Sequence, residues 1–269
     1  MENHKFLFIG GLHRSGTTIL AKCLQAHPQI SGFENTGADK DEGQHLQTLF
    51  SPAREYGGAG IFGFHKAAYL DEQSPLVTAA NGEKLFNEWK PYWNLSKPVL
   101  LEKSLPTLIR TRFLQALFPQ SYFVIVTRHP VATTLATKKW RPRRLLVSLF
   151  EHWFVCYERF IADSAQVQNV FLLKYEDFVA NPPAMIAKIS EFVGIDPIPV
   201  PVPNVRSNTN DKYFDQWHKL ESSLLTRLYT RFLVHRFEGR ANSFGYSFTE
   251  LGERTHSHWR TTQQIVKEG

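Results

Sequence analysis

Cysteine is scarce. Cys23 and Cys156 are the only two in 269 residues, and each falls on the apolar face of a predicted helix. That excludes a disulfide framework and marks both as core residues of a reduced protein. No apolar run reaches the length of a membrane span. The chain enters its first apolar strand too early to leave room for a signal peptide, so a cytoplasmic protein is expected. Acidic residues are outnumbered, Asp+Glu 25 against Lys+Arg 31, and the resulting charge of +6 suits an anionic cofactor or substrate. No interleaved arginine–aromatic tract supports nucleic acid as a partner. The histidines show no metal-ligand spacing, with His256 and His258 in a polar C-terminal stretch, and no metal is expected. One domain is the default at this length, taken as 1–248 with a polar tail over 249–269.

What the chain does have is concentrated at its start. Lys5 to Leu20, KFLFIGGLHRSGTTIL, reads as a buried strand, a glycine turn and a helix start. Backbone N–H groups in such a turn, backed by a helix N-terminus, form a site for phosphate. Gly11, four residues, Gly16 and then Thr17-Thr18 matches the nucleotide-binding P-loop pattern, except that Thr17 stands at the lysine position. That lysine normally reaches the β- and γ-phosphates of a nucleoside triphosphate. Its absence argues against an ordinary ATPase or kinase, while Arg14 still places a cation inside the loop.

Further apolar runs give strands at Gln29–Phe33, Pro98–Leu101, Tyr122–Val126 and Val170–Leu173. Helical spacing predicts helices over Gly82–Trp93, Leu105–Phe118, Val131–Thr137, a long one through Leu145–Ile161, Met185–Val193 and a last long one over Phe214–Phe237. Pro130 and the Asn181-Pro182-Pro183 segment sit where helices start. Strands alternating with helices imply an α/β fold, a central parallel sheet flanked by helices, with ligands at the C-terminal strand ends. Those ends carry the Gly11–Thr18 loop, Glu34, Lys103 and Arg128. The Asp39–His45 segment is dense in groups able to move protons. The glycine-rich stretch from Ser51 to Gly63 reads as a flap or a surface loop, and Lys138–Arg144 is the strongest basic run.

These residues resemble the sulfotransferases that use 3′-phosphoadenylyl sulfate (PAPS). Arg14-Ser15-Gly16-Thr17-Thr18 is similar to the family's 5′-phosphosulfate loop. Phe118-Pro119 followed by Val124-Ile125-Val126-Thr127-Arg128-His129-Pro130 resembles the strand and arginine that grip the 3′-phosphate. Leu173-Lys174-Tyr175-Glu176-Asp177 and Phe244-Gly245-Tyr246 are similar to two later family segments. The resemblance implies a P-loop-like sulfotransferase fold, closer to the protein-tyrosine and bacterial types than to the cytosolic phenol enzymes. It implies PAPS as donor, adenosine 3′,5′-bisphosphate as product, and in-line sulfuryl transfer to a hydroxyl. It also accounts for the missing lysine, since PAPS has no γ-phosphate.

Two departures stand out. The family's serine eight residues after the arginine is Ala136 here, so Thr133, Thr134 or Thr137 would have to share the 3′-phosphate. The Lys-Thr-His segment of phenol enzymes is Lys103-Ser104-Leu105-Pro106, without its histidine. The base must come from elsewhere. Glu34, seven residues after His27-Pro28, occupies the position of the protein-tyrosine enzymes' glutamate, with Glu42 and His45 as rivals. Lys103 and Arg14 are assigned to the leaving phosphate and sulfuryl oxygens. Ser15, Gly16, Thr17, Thr18, Arg128 and Tyr175 are assigned to the nucleotide, with Arg206 and Lys212 of the late Arg206–Tyr213 segment. The acceptor is expected to be a small molecule or glycoside, with Phe50, Tyr56, Phe62, Phe64 and Tyr92 as candidate lining. A kinase with a variant P-loop and a non-catalytic nucleotide-binding module are the alternatives.

Overall fold

The computed structural model describes residues 3–202, 205, 206 and 208–252, together with the backbone of Gln263–Val266. Five parallel strands make the sheet: β1 (Lys5–Gly11), β2 (Ile30–Gly32), β3 (Val99–Lys103), β4 (Ser121–Thr127) and β5 (Asn169–Lys174), ordered β2-β3-β1-β4-β5. A sixth, β6 (Gln263–Val266), adds antiparallel to β5. It falls in the stretch expected to be a polar tail.

The strands are apolar on both faces because both are covered. Phe6 and Phe8 of β1, Phe123 and Ile125 of β4, and Val170 and Leu172 of β5 point into one core layer. Leu7, Ile9, Val124, Val126, Phe171 and Leu173 alternate into the other. The first layer is closed by α2 (Ala79–Trp89), α3 (Thr111–Leu117), α4 (Pro130–Lys138), α5 (Leu146–Ser164), α8 (Asp211–Ser222) and α9 (Arg227–Ser243). The second is closed by α1 (Thr17–Gln25), α6 (Tyr175–Ala180) and α7 (Pro182–Val193). Cys23 and Cys156 are free and buried, one in each layer.

Two helices differ from expectation. Leu105–Phe118 is divided into a 3-10 turn at Leu105–Ile109 and α3, with Arg110 between them in non-helical conformation. The guanidinium of Arg110 is buried against the carbonyls of Ala68 and Ser51, which fixes that break. The last long helix is α8 and α9, interrupted at Ser223, which is extended and whose carbonyl accepts the Arg227 N–H. Paired serines compete for backbone hydrogen bonds and favour such ends.

Strand order diverges on either side of β1, with β3 on one flank and β4 on the other. A crevice therefore opens at the C-terminal end of β1, where this class of sheet holds ligands.

Candidate active site

The loop after β1 is shaped by two conformational demands. Arg14 is left-handed (φ 70°) and Gly16 has φ 102°. A Cβ on Gly16 would lie 2.3 Å from the Tyr175 ring, so only glycine lets the tyrosine close on the loop. Gly16 is the N-cap of α1, and no side chain caps that helix. Its first N–H groups therefore face outward without a partner from the cap, and Ser15 Oγ is buried in the loop beside the Tyr157 hydroxyl. Tyr157 donates to Val126 O (2.7 Å) and accepts from Leu12 N (3.4 Å), pinning the loop to β4. These features fit a bound phosphate group.

At the end of β4, Arg128 is held from three sides. It donates to Asn210 Oδ1 (2.8 Å), Arg14 O (2.7 Å) and Thr209 O (3.3 Å), and its guanidinium lies 4.5 Å from the Tyr175 ring centre. Glu176 supports the arrangement from behind. It accepts from His129 N (3.0 Å), Asn210 Nδ2 (2.8 Å) and Tyr246 Oη (3.1 Å). His129 Nδ1 accepts from Val131 N, so its Nε2 carries the proton given to Ser247 O (3.0 Å). Burial lowers His129 to about 3 and keeps it neutral. The four segments that carry the resemblance thus meet in one hydrogen-bond network.

On the β3 side the chain follows an unusual path. Asn35, Lys40 and Asp41 are all left-handed without being glycine, as is Arg14. Such conformations persist where surrounding contacts enforce them. Here Gly43 N donates to Glu102 Oε1 (2.9 Å), Gln44 N to Ser104 Oγ (2.9 Å), and Trp89 Nε1 to Gly43 O (2.9 Å). The folded-over segment brings Glu42 against Lys103: Nζ donates to Glu42 Oε1 at 3.0 Å and to Lys40 O at 2.9 Å. Both side chains are buried, and Gln44 Nε2 donates to the other Glu42 oxygen.

Between these two walls lies a cleft of about 660 Å³. Arg14, Gly16, Thr17, Thr18, Arg128, Tyr175, Glu42 and His45 all line it, so the loop, the arginine and two of the three candidate bases are brought together. Glu34, the first candidate, is exposed and does not line the cleft. The left-handed residues after it turn the chain back and put Glu42 in the cleft instead. Lys103, expected to face the leaving oxygens, is turned onto Glu42. Thr134 and Thr137 are buried beside Leu12, His13 and Leu149 in a separate small cavity, and Thr133 donates to Arg128 O. Arg206 and Lys212 are exposed and do not line the cleft, although Arg206 O accepts from Thr209 Oγ1 (3.0 Å). Ser207, His256 and His258 lie outside the described residues.

The five aromatic residues proposed for the acceptor are not in the lining either. Phe62 is in the core and Phe50 packs on Phe113 and Arg110. The glycine-rich stretch is a packed wall: Gly60 abuts Leu149, and Gly63 N donates to His152. It contributes Gly58 and Ala59 to the cleft and is anchored by Arg141, which donates to Ala59 O and Gly57 O. Residues not foreseen include Asn210, Trp140, Arg141, Arg54 and His13. Trp140 lies in the noted basic run and stacks on Arg14 at 5.1 Å; His13 lies in the loop itself. Burial, with Arg141 nearby, lowers His13 to about 4. His45 is also lowered by burial, against the pull of Glu42.

The model of the sulfotransferase family matches residues 7–199. The chain belongs to that family. Among known sulfotransferases it is 22% identical over 208 residues to protein-tyrosine sulfotransferase A of Caenorhabditis elegans, covering 71% of this chain and 50% of that one. The chain thus spans about half the length of this curated relative. The sulfotransferase STF1 of Mycobacterium tuberculosis shares the fold, with TM-score 0.50 and 16% identity over 88% of this chain and 77% of STF1. STF9 of Mycobacterium avium matches with TM-score 0.50 and 11% identity, covering 82% of this chain and 69% of its own. Among the described residues no helix is long and apolar enough to cross a membrane.

Proposed function

We propose that this sulfotransferase moves the sulfuryl group of PAPS to a hydroxyl of an acceptor, with Glu42 as the base. One observation carries the assignment: a buried carboxylate, backed by a lysine, shares a cleft with an uncapped helix N-terminus and a buried arginine. Gly16, Thr17 and Thr18 would hold the 5′-phosphosulfate with their N–H groups, and Arg128 with Tyr175 the 3′-phosphate. The donor supplies an activated sulfuryl group on a phosphate leaving group. Glu42 takes the acceptor's hydroxyl proton as the acceptor oxygen bonds to sulfur. The sulfur–oxygen bond to phosphate breaks with its electron pair on the phosphate, where the loop N–H groups and Arg14 stabilise the charge. Lys103 acts through Glu42, holding the carboxylate oriented by its 3.0 Å contact.

Calorimetric titration with adenosine 3′,5′-bisphosphate tests the reading, with ATP and Mg²⁺ as competitor. Binding of the bisphosphate that ATP does not match, and that Arg128→Ala abolishes, is expected. Preference for ATP would overturn it. The acceptor is proposed to be a small molecule or glycoside, since polar groups (Gln44, His45, Arg54) outnumber apolar ones at the Glu42 end. A cytoplasmic setting suits the two free, buried cysteines.

A further inference from the structure

The basic run at 138–144 is not consumed by the cleft. Trp140 and Arg141 line it, but Lys139, Arg143 and Arg144 are exposed and make no ion pair among the described residues. Leu145, next in sequence, is also exposed. Val147 N donates to Tyr229 Oη at 3.0 Å, which sets the start of α5 alongside the first turns of α9.

That end of α9 is apolar on its outer side. Leu224, Leu225 and Leu228 are 77%, 95% and 70% exposed, and Phe232 is 48% exposed. Leu228 and Phe232 stand one turn apart, on the face opposite Leu233 and Phe237, which are in the core. Solvated single leucines need no explanation, but several together on one edge do. Arg227 and Arg231 flank them, exposed and unpaired among the described residues. Neither 138–150 nor 222–237 contains an Asp or Glu. Of the carboxylates that bound these stretches, Glu151 is paired with Arg236 and Arg240, Glu221 lies against His218, and Glu238 accepts from Ser247 Oγ and Phe248 N.

We infer that this edge, Lys139–Leu145 together with Ser223–Phe232, is a docking face for an anionic phospholipid surface. The leucines and Phe232 would enter the boundary between headgroups and acyl chains, while the five cations, none in an ion pair among the described residues and Lys139 resting over the Tyr213 ring, meet lipid phosphates and carboxylates. Charge decides among the occupants. A second copy docking by the same patch would bring two uncompensated basic rims together, which is repulsive. A bilayer supplies both the apolar depth and the negative charge. Because Trp140 lies at once in the basic run and on the cleft lip, docking here sets the cleft beside the lipid surface.

Co-sedimentation of the full chain with vesicles tests the inference. Vesicles of phosphatidylcholine alone are compared with vesicles carrying about 30% phosphatidylserine. Binding to the anionic vesicles is expected, falling at least about tenfold when salt is raised from physiological to high concentration. Leu225→Asp with Leu228→Asp, and separately Arg143→Ser with Arg144→Ser, should each weaken it by about tenfold or more with thermal unfolding unchanged. Both pairs are exposed and outside the cleft lining. Absence of binding, equal binding to neutral vesicles, or indifference to both double substitutions would overturn the inference. So would concentration-dependent dimerisation, seen by sedimentation velocity, that Leu225→Asp abolishes, since the face would then be a contact between copies.

Discussion

Glu42 and Lys103 form an ion pair at 3.0 Å, both about 4% exposed, with the carboxylate on the cleft and the ammonium behind it. Burying two charges is costly unless each is fully hydrogen-bonded. Here Lys40 O accepts a second hydrogen bond from the ammonium and Gln44 donates one to the carboxylate. If Glu42 is the base, Glu42→Gln should lower kcat by about 10²–10⁴-fold while bisphosphate affinity is kept. Glu34→Gln should turn over normally, because that side chain is exposed away from the cleft. Steady-state kinetics paired with calorimetry separates the two, and normal turnover in Glu42→Gln would move the base to His45.

Arg128 presents a second test. Asn210 receives its Nε–H and is itself held by Glu176. Arg128→Lys should bind the bisphosphate as poorly as Arg128→Ala, since a lysine cannot reproduce the planar fork of donors. Asn210→Ala should cost less, about tenfold in affinity, because the contacts with Arg14 O and Thr209 O remain. Equal affinities for wild type and Arg128→Lys would show that a point charge is enough.

The fold and the side of the cleft formed by the Gly11–Thr18 loop and Arg128 were legible because their signals are local. The run Phe6–Ile9 followed by glycines and Ser15–Thr18 specifies strand, turn and helix within a few residues, and Tyr122–Val126 leads directly into Arg128. The side of the cleft around Glu42 depends on contacts distant in sequence. Whether Glu34 or Glu42 reaches the cleft is settled by left-handed Asn35, Lys40 and Asp41; Asn and Asp adopt that conformation more readily than most residues but far from always, and Lys gives no such signal. Gly43 resting on Glu102 holds the turn in place, and no spacing rule links those positions. The aromatic residues follow the same logic: Phe50 and Phe62 satisfy the core, and composition cannot tell a wall from its interior. Spacing alone joins α8 and α9, because apolar periodicity continues through Ser222-Ser223 into leucines that remain outside.

Gly16→Ala should be severe despite its small size. The new methyl would meet the Tyr175 ring at 2.3 Å, and the backbone at φ 102° disfavours any side chain. A loss of about 1–3 kcal/mol of stability is expected from the strained conformation alone, with bisphosphate binding abolished. Adding Tyr175→Ala should recover part of the stability but not the binding, since Tyr175 also stacks on Arg128. Urea unfolding and calorimetry on both variants check this.

Glu102 gives a prediction about pH. Its carboxyl is buried, and burial, opposed by Ser104 and aided by the nearby charge of Glu42, raises it from the usual glutamate range to about 7. The folded state therefore favours the protonated form more than the unfolded chain does. The stability this contributes is present below the unfolded value near 4.5 and is lost as pH rises through about 7. Glu102→Gln keeps an oxygen for Gly43 N and Ser104 Oγ but cannot ionise. It should match wild type near the acid end of that window and be more stable above neutrality, by about 3 kcal/mol at most. The buried histidines act in the opposite sense. His13 is lowered to about 4, and His129 and His152 to about 3, all by burial, so their stabilisation is lost as pH falls below the usual histidine value of 6.5. Both proteins carry these histidines, so the difference between their urea midpoints isolates Glu102. A difference that does not grow between acid and neutral pH would show that Glu102 is ionised throughout, held by its hydrogen bonds against the cost of burial.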